Sequence, residues 1–477
     1  MSCILYHGAM ENHIIEQSDA LRSRLENLLS ALEHGLIERR REVRLVMLAA
    51  LAGEHTLLVG PPGTAKSELA RRLHLAFENA RYFERLLTRF SVPEELFGPL
   101  SISALEQDRY ERQTKGFLPQ AEIAFIDEVF KANSAILNAL LTLLNEREFD
   151  NGAGREKCPL ISVIGATNDI PEDEVSEAFF DRFLLRLPVG SVAADNFRHL
   201  LDADAGAPLP PFAALTNADA KNIRIAAQAV TLADDVVELL GELRQRLAGQ
   251  QLYVSDRRWV KVAWLLKVAA ATEGRREVVI WDLWLLTWCA ARDLAHQVDI
   301  GDWLTARLGV REAFAPPRLT QVVVAFEAQA DIEQQADDLD YDEAGRLKFS
   351  TALDVQANDG KDATQGVRLN YTRRRRYGAT HIAARVGQID DLVQRIADYL
   401  EEVDAQRTAL AAYGKQSLWL DASFAVRADA NLATTIRVIE DLRQRALAAR
   451  AAFEVLPRLA EDNRIAPEPI SCENTAP

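Results

Sequence analysis

The sequence predicts an α/β core (a parallel sheet with helices on both faces), then an all-α lid. A C-terminal α+β region with a small β module and a helical pair follows. Three observations carry the core. The apolar run Thr56–Val59 leads into Gly60-Pro61-Pro62-Gly63-Thr64-Ala65-Lys66-Ser67, and then into a helical pattern at Leu69, Ala70, Leu73, Ala76 and Phe77. Glu122-Ile-Ala-Phe-Ile-Asp127-Glu128 is a second apolar run, ending in two carboxylates. Leu160-Ile-Ser-Val-Ile-Gly-Ala-Thr-Asn168 is a third, ending in an amide. Such runs describe strands buried on both faces, and the C-terminal ends of parallel strands are where α/β sheets bind ligands.

Each element has a chemical reading. A glycine loop between strand and helix offers backbone N–H groups and a helix N-terminus to phosphate. Lys66 would reach the outer phosphates and the Ser67 hydroxyl would ligate Mg²⁺. The residue before such a lysine is usually Gly; here it is Ala65, which still lets backbone approach backbone. Asp127 would hold the Mg²⁺ shell, and Glu128 would orient and deprotonate the attacking water. Asn168 would touch the γ-phosphate or that water, or serve only as a strand-terminal turn residue. In Phe179-Phe-Asp181-Arg182-Phe183, Arg182 is either a solvated charge or a group that reaches a neighbouring subunit's nucleotide. In Ser255-Asp256-Arg257-Arg258-Trp259, Arg257 fits both a solvated first-turn position and a γ-phosphate contact in cis.

Taken in this order, these elements resemble the AAA+ ATPases. The Ala-Lys loop, Phe125-Ile-Asp-Glu128 and Asn138-Ala-Leu-Leu-Thr-Leu-Leu-Asn-Glu-Arg147 look like the MoxR family. So does a hairpin insert turned by Asp150-Asn-Gly-Ala-Gly154, with Asn151-Gly152 suited to positive φ. Glu33-His-Gly-Leu-Ile-Glu-Arg39, Leu87 to Ser101 and Tyr253-Val-Ser-Asp-Arg-Arg-Trp259 are most similar to the regulatory ATPase variant (RavA) branch. The likeness is strong over residues 18–300 and fades over 315–385. It returns weakly around Lys415-Gln-Ser-Leu-Trp-Leu420.

The resemblance implies ATP and Mg²⁺ as cofactors, with ATP hydrolysed between subunits of a ring, a hexamer, that acts as a chaperone on a partner complex. It implies that Gly60, Pro61, Pro62, Gly63, Thr64, Ala65, Lys66, Ser67 and Glu68 surround the nucleotide, and that Leu36 and Ile37 line the adenine pocket. Ser67 and Asp127 would be the metal ligands. Glu128, Lys66, Asn168, Arg182 and Arg257 would be catalytic, Arg182 in trans and the others in cis. It also implies a partner with a von Willebrand factor A domain. The branch's lysine decarboxylase partner is not carried over, because the likeness fails in the C-terminal module. No aromatic pore-loop signature supports threading.

Bulk numbers narrow the alternatives. At 477 residues the chain exceeds one core. Its 55 basic and 71 acidic residues leave a net charge of −16, which disfavours a general nucleic-acid binder. Cys3, Cys158, Cys289 and Cys472 are far apart, so neither disulfides nor zinc are expected and a reducing cytoplasm fits. The most apolar stretch, Val278–Ala291, is broken by Asp282 and is too short to span a membrane. Trp281, Leu285 and Trp288 share a helix face there and read as lid core. The N-terminus has no basic signal-peptide region.

Along the chain the expected division is an N-terminal extension over 1–16, the core over 17–190, a linker over 191–222 and a helical lid over 223–312. A β module over 313–387, a helical pair over 388–457 and a loose tail over 458–477 complete it. Leu21, Leu25, Leu28, Leu29 and Leu32 mark a helix before the first strand. Leu347–Val355 and Val367–Tyr371 alternate around Asn358-Asp-Gly360, as in a hairpin. Arg373–Arg376 reads as a solvated face, a contact for an acidic protein surface, or a nucleic-acid or lipid contact. Two rivals to the ring remodeller stand: a nucleotide-gated scaffold whose ATP state controls docking, and a nucleic-acid motor favoured only by Arg373–Arg376 and the hairpin.

Overall fold

A computed structural model describes residues 20–152, 154–168, 170, 174–202, 208–311, 314–339, 372–460 and 464–470. The expected N-terminal extension, the alternating runs 347–355 and 367–371, Cys3 and Cys472 lie outside these residues. The chain forms two compact units, residues 1–308 with 411–427, and residues 309–410 with 428–477.

In the first unit, helices α1 (20–33) and α2 (Arg40–Ala52) precede β1 (His55–Val59), α3 (Lys66–Leu75) and β2 (Tyr82–Leu86). Short helices α4 (Glu94–Phe97) and α5 (Ile102–Leu105) lead to β3 (Ile123–Asp127) and α6 (Ser134–Glu146). A hairpin of β4 (Glu148–Asn151) and β5 (Gly154–Lys157) comes before β6 (Ser162–Thr167), α7 (Glu174–Phe180) and β7 (Phe183–Pro188). Strands β2-β3-β6-β1-β7 form one parallel sheet in that order. Side chains alternate between its faces. Leu57, Ala124, Ile126 and Val163 pack with Ile136, Leu140 and Leu143 of α6 and with Phe179. Leu58, Ile123, Phe125 and Ile164 are equally buried on the opposite face. At Gly165 a Cβ would lie 2.8 Å from the Phe183 ring, so a glycine in mid-strand is what admits that ring. The hairpin forms as expected, although of the expected pair only Gly152 takes positive φ, +72°.

The expected linker is partly helical. It carries α8 (Phe197–Asp202), and α9 (Asn217–Ala229) begins inside it behind a capping box of Thr216 and Asp219. The lid continues through β8 (Thr231–Leu232), α10 (Asp234–Gly249), α11 (Asp256–Thr272), β9 (Glu277–Val278), α12 (Leu286–Cys289) and α13 (Leu294–Arg307). The stretch read as one helix with a Trp281–Leu285–Trp288 face is instead a 3-10 segment, Ile280–Leu285, followed by the single turn α12. Asp282 explains the break. Its carboxylate accepts from the Val279 N–H and from Arg275, and so caps the segment's start. Trp281 and Leu285 are still core, while Trp288 is half-buried under the Arg41 guanidinium. Residues 411–427 pack on this lid. Trp419 is buried and its indole N–H donates to Thr272 Oγ1 at 2.9 Å; the Leu418 N–H donates to Glu273 at 2.7 Å. That contact accounts for the Lys415–Leu420 motif.

The second unit begins with a correction. Where a β module was expected from 313, α14 (Pro316–Gln335) is a helix, entered through two prolines at its first turn, where their missing N–H costs nothing. A two-stranded ribbon of β10 (Asp337–Leu339) and β11 (Thr372–Arg374) follows, then α15 (Ala379–Gln416) and α16 (Ala422–Glu454). α15 starts nine residues before the expected 388, because Tyr377, His381 and Arg385 gather round buried Glu333. Along α15, Ile382, Ile389, Ile396, Val403 and Leu410 are buried at seven-residue intervals, a coiled-coil seam. Ion pairs Asp390–Arg450 and Arg407–Asp429 set α15 and α16 antiparallel. The tail is not loose throughout: the Tyr377 N–H donates to the Pro457 carbonyl, and Arg385 donates to that of Glu468. The arginine run is answered locally, since Arg373 and Arg374 stand opposite Asp338 and Asp337 on the ribbon. That pairing favours the solvated-face reading. Among the described residues no helix is long and apolar enough to cross a membrane.

Two buried polar groups bear most on stability. His55 Nδ1 accepts from the Val163 N–H at 3.0 Å, so Nε2 carries the proton toward the Leu144 carbonyl at 3.1 Å. Burial, then Arg147, holds its pKa well below the usual value. The unfolded chain therefore binds a proton near pH 6.5 that the folded chain refuses. Stability is complete above that pH and falls as the pH drops below it. We expect urea stability between about pH 7.5 and about 5.5 to fall more steeply for the wild type than for His55→Gln, by up to about 1.4 kcal/mol per pH unit. Arg258, at the start of α11, is buried and donates to the carbonyls of Cys289, Asp181, Phe183 and Leu184. It joins the lid to the first residues of β7. Arg258→Met should cost about 3–5 kcal/mol in the same assay by stranding those acceptors, whereas exposed Arg257→Ala should stay within about 0.5 kcal/mol.

Candidate functional site

β1 pairs with β6 and β7, and β6 with β3, so the residues that follow these strands emerge at one edge of the sheet. Gly60, Asp127-Glu128 and Asn168 all stand there. Gly60 donates its N–H to the Thr167 carbonyl at 3.0 Å, and a Cβ on it would lie 2.1 Å from the Val189 carbonyl oxygen. No other residue fits that position. Pro61, Pro62 and Gly63 are exposed, and Gly63 takes φ +80°. Thr64 turns inward and its hydroxyl donates to the Pro61 carbonyl at 3.0 Å. Ala65 adopts φ +67°, ψ 24° at the N-cap of α3. The preference for glycine there is therefore conformational, and alanine holds the left-handed turn at a cost of about 1–2 kcal/mol.

Lys66 is buried, and its ammonium donates to the carbonyls of Gly60 at 2.6 Å and Pro61 at 2.8 Å. Burial lowers its pKa, while the Asp127 and Glu128 carboxylates act the other way. Loop lysine and acidic strand end are thus electrostatic neighbours. Ser67 is half-buried one residue on. Glu68 is paired with Arg72 at 2.8 Å, so what it can offer a ligand is its backbone N–H. Asp127 Oδ1 accepts from the Glu128 N–H, and Glu128 sits at φ +51°, a strained turn for a residue with a side chain. Asn168 donates to Glu128 Oε1 at 2.8 Å. The donor set is hard oxygen: one carboxylate, one hydroxyl and room for phosphate. It suits Mg²⁺, and among the described residues no cluster of three or more His, Cys, Asp or Glu competes for metal.

Leu36 and Ile37 are half-buried in the turn between α1 and α2. The residue that ties this turn to the loop is Arg39, which sequence reasoning missed. It is buried, donates to the Thr64 carbonyl at 3.2 Å, and reaches the Gly190 carbonyl. In Arg39-Arg-Arg nothing distinguishes the buried member from its solvated neighbours. A cavity of about 260 Å³ opens beside Gly60 and Pro61, lined also by Arg186, Leu294 and Gln297, but not by Leu36 or Ile37. Arg186 was hidden inside an apolar strand. It lies over the Phe180 ring and donates to the Ala291 carbonyl at 3.0 Å.

The two outlying arginines do not join this cluster. The charges that act on Arg182 are Arg257 and Asp181, and burial and Arg257 together lower its pKa. Arg257 donates to Asn145 Oδ1 at 2.8 Å, near the end of α6. Arg257, expected to contact the γ-phosphate in cis, is a charge that acts on Arg182, while the charges that act on Lys66 are Asp127 and Glu128. Two guanidinium groups that repel each other in this way make a site that an incoming anion stabilises. Cys158 and Cys289 are buried free thiols, raised by burial to about 11 and about 12, which makes them filler and not nucleophiles.

Comparison with known proteins agrees with this geometry. Residues 23–228 match a family described as the MoxR domain in the MoxR-vWA-beta-propeller ternary systems, and residues 235–304 match an AAA lid domain. An uncharacterized protein of Methanocaldococcus jannaschii is 42% identical over 265 residues, 55% of this chain and 69% of its own length. A second from the same organism is 42% identical over 255 residues, covering 53% and 67%. Protein MoxR of Paracoccus denitrificans is 29% identical over 182 residues, covering 37% and 53%. The chain belongs to the MoxR family of AAA+ ATPases.

Proposed function

We propose that this chain hydrolyses ATP with Mg²⁺ at the interfaces of a ring of its own copies, a hexamer, and uses that cycle to remodel or activate a partner complex in the manner of a chaperone. The observation that carries the reading is the division of charge into two clusters. Lys66, Asp127 and Glu128 form one, at the sheet edge. Arg182 and Arg257 form the other. Phosphoryl transfer uses both kinds of group, and neither arginine is among the charges that act on Lys66.

In this reading the loop N–H groups grip the phosphates, and Lys66 exchanges its two loop carbonyls for phosphate oxygens. Ser67 and Asp127 hold Mg²⁺, which neutralises charge on the phosphates. Glu128 takes the proton of the attacking water while Asn168 steadies the carboxylate. Arg182, with Arg257 beside it, reaches the nucleotide of the adjacent subunit. A partner with a von Willebrand factor A domain belongs to the same proposal, supported by the description of the matched family. Kinship with the RavA branch rests on Glu33–Arg39 and Tyr253–Trp259.

The test is steady-state ATPase activity against protein concentration, for wild type, Glu128→Gln, Arg182→Ala and an equimolar mixture of the two variants. Activity should rise with assembly. Each variant alone should lose about 10²-fold or more in rate, and the mixture should regain part of it, because subunits with an intact base meet subunits with an intact arginine. A mixture as inactive as its components, with wild-type activity independent of concentration, overturns the shared site and leaves the nucleotide-gated scaffold. Lys66→Ala should abolish ATP binding itself, read by titration with a fluorescent ATP analogue.

A further inference from the structure

Beyond the residues assigned so far, Glu128 has a second donor. Lys131 Nζ lies 3.1 Å from Glu128 Oε1, the same oxygen that accepts from Asn168 Nδ2 at 2.8 Å. The contact is built by the backbone. Glu128 caps a single 3-10 turn, Val129–Lys131, and the Lys131 N–H returns to the Glu128 carbonyl at 2.8 Å. A 3-10 helix repeats every three residues, so side chains at i and i+3 eclipse. The turn therefore sets Lys131 directly over Glu128, and the left-handed φ of Glu128 fixes the direction of both.

We propose that Lys131 is a positioning residue for hydrolysis: with Asn168 it pins Oε1 of Glu128, so that Oε2 faces the attacking water. This rests on Glu128 being the base. Among the described residues nothing else donates to this carboxylate. A glutamate held by one amide can still swing about its terminal torsion. Two donors on one oxygen, from the 3-10 turn and from the end of β6, define the carboxylate plane. The Lys131 side chain is 55% exposed against 16% for Glu128, and an ion pair with its cation in solvent adds about 1 kcal/mol or less to stability. Its removal should leave the fold intact and act on orientation alone.

The experiment measures ATP-dependent turnover of the full-length chain with Mg²⁺ for wild type, Lys131→Ala, Lys131→Arg, Glu128→Gln and the double variant Lys131→Ala/Glu128→Gln. Lys131→Ala should lower kcat about tenfold and leave KM for ATP within about twofold, the signature of lost alignment. Lys131→Arg keeps the cation and should recover most of that loss. In the double variant, Lys131→Ala should slow the residual rate no further, because the group it positions is gone. Unchanged or raised kcat in Lys131→Ala, a change confined to KM, or an independent tenfold loss in the double variant would each overturn the proposal. Glu128→Gln turning over like the wild type overturns the assignment of the base itself, and that arm is read without any change at Lys131.

Discussion

Strand β1 is hydrogen-bonded on both sides, to β6 and to β7, and the loop that follows it leaves the sheet in the narrow space between them. Gly60 marks the constraint. Its N–H is committed to Thr167, and the carbonyl of Val189 occupies the space of a Cβ. With that crossing set, the chain turns through Gly63 and Ala65 at positive φ into α3. The N–H groups of the turn are then aimed outward at the sheet edge where Asp127 and Asn168 also end. The placement of the loop against the acidic strand end depends on this register.

The loop is also held from outside. Arg39 spans the carbonyls of Thr64 and Gly190, joining the turn before the sheet to the loop and to the segment after β7. Arg258 ties the lid to the start of β7 through the carbonyls of Asp181, Phe183 and Leu184, with a fourth bond to Cys289 within the lid, and so determines where its neighbour Arg257 points. Arginine suits both places because five donors in a fixed fork satisfy several carbonyls at once. These clamps convert a lid of short helices into a platform of defined position on the sheet. The platform extends through Trp419 and Leu418, which dock on Thr272 and Glu273.

Lys66 and Glu128 share a property. Each is held by groups of its own chain: the lysine by two loop carbonyls, the glutamate through Oε1 by an amide and an ammonium. A charged group held this way costs little to keep in place, and its partners define where it stands when a ligand competes for it. The strained backbone at Glu128 belongs to the same arrangement, since it turns the carboxylate out of the β3 line and over the following 3-10 turn.

The sequence by itself determined the elements whose signals are local: buried strands as unbroken apolar runs, the glycine loop, the paired acids, the amide at the end of β6, and the lid helices over 234–247 and 256–272. These follow from burial on both faces, from φ requirements and from helical periodicity, all of which act over a few residues. Tertiary structure decided what adjacency in sequence cannot. Of Arg39-Arg-Arg and Arg257-Arg258, one member in each is a buried clamp while the next residue, Arg40, or the one before, Arg257, is exposed, because successive helical positions point about 100° apart. It brought Arg257 to Asn145 and into the field of Arg182. It also replaced a long lid helix with a 3-10 segment around Asp282, and put the helix α14 at the start of the region expected to hold a β module. Alternation and apolar density are shared by several folds. Which one forms depends on partners far off in the chain, such as Tyr413 on Asp282, 131 residues away.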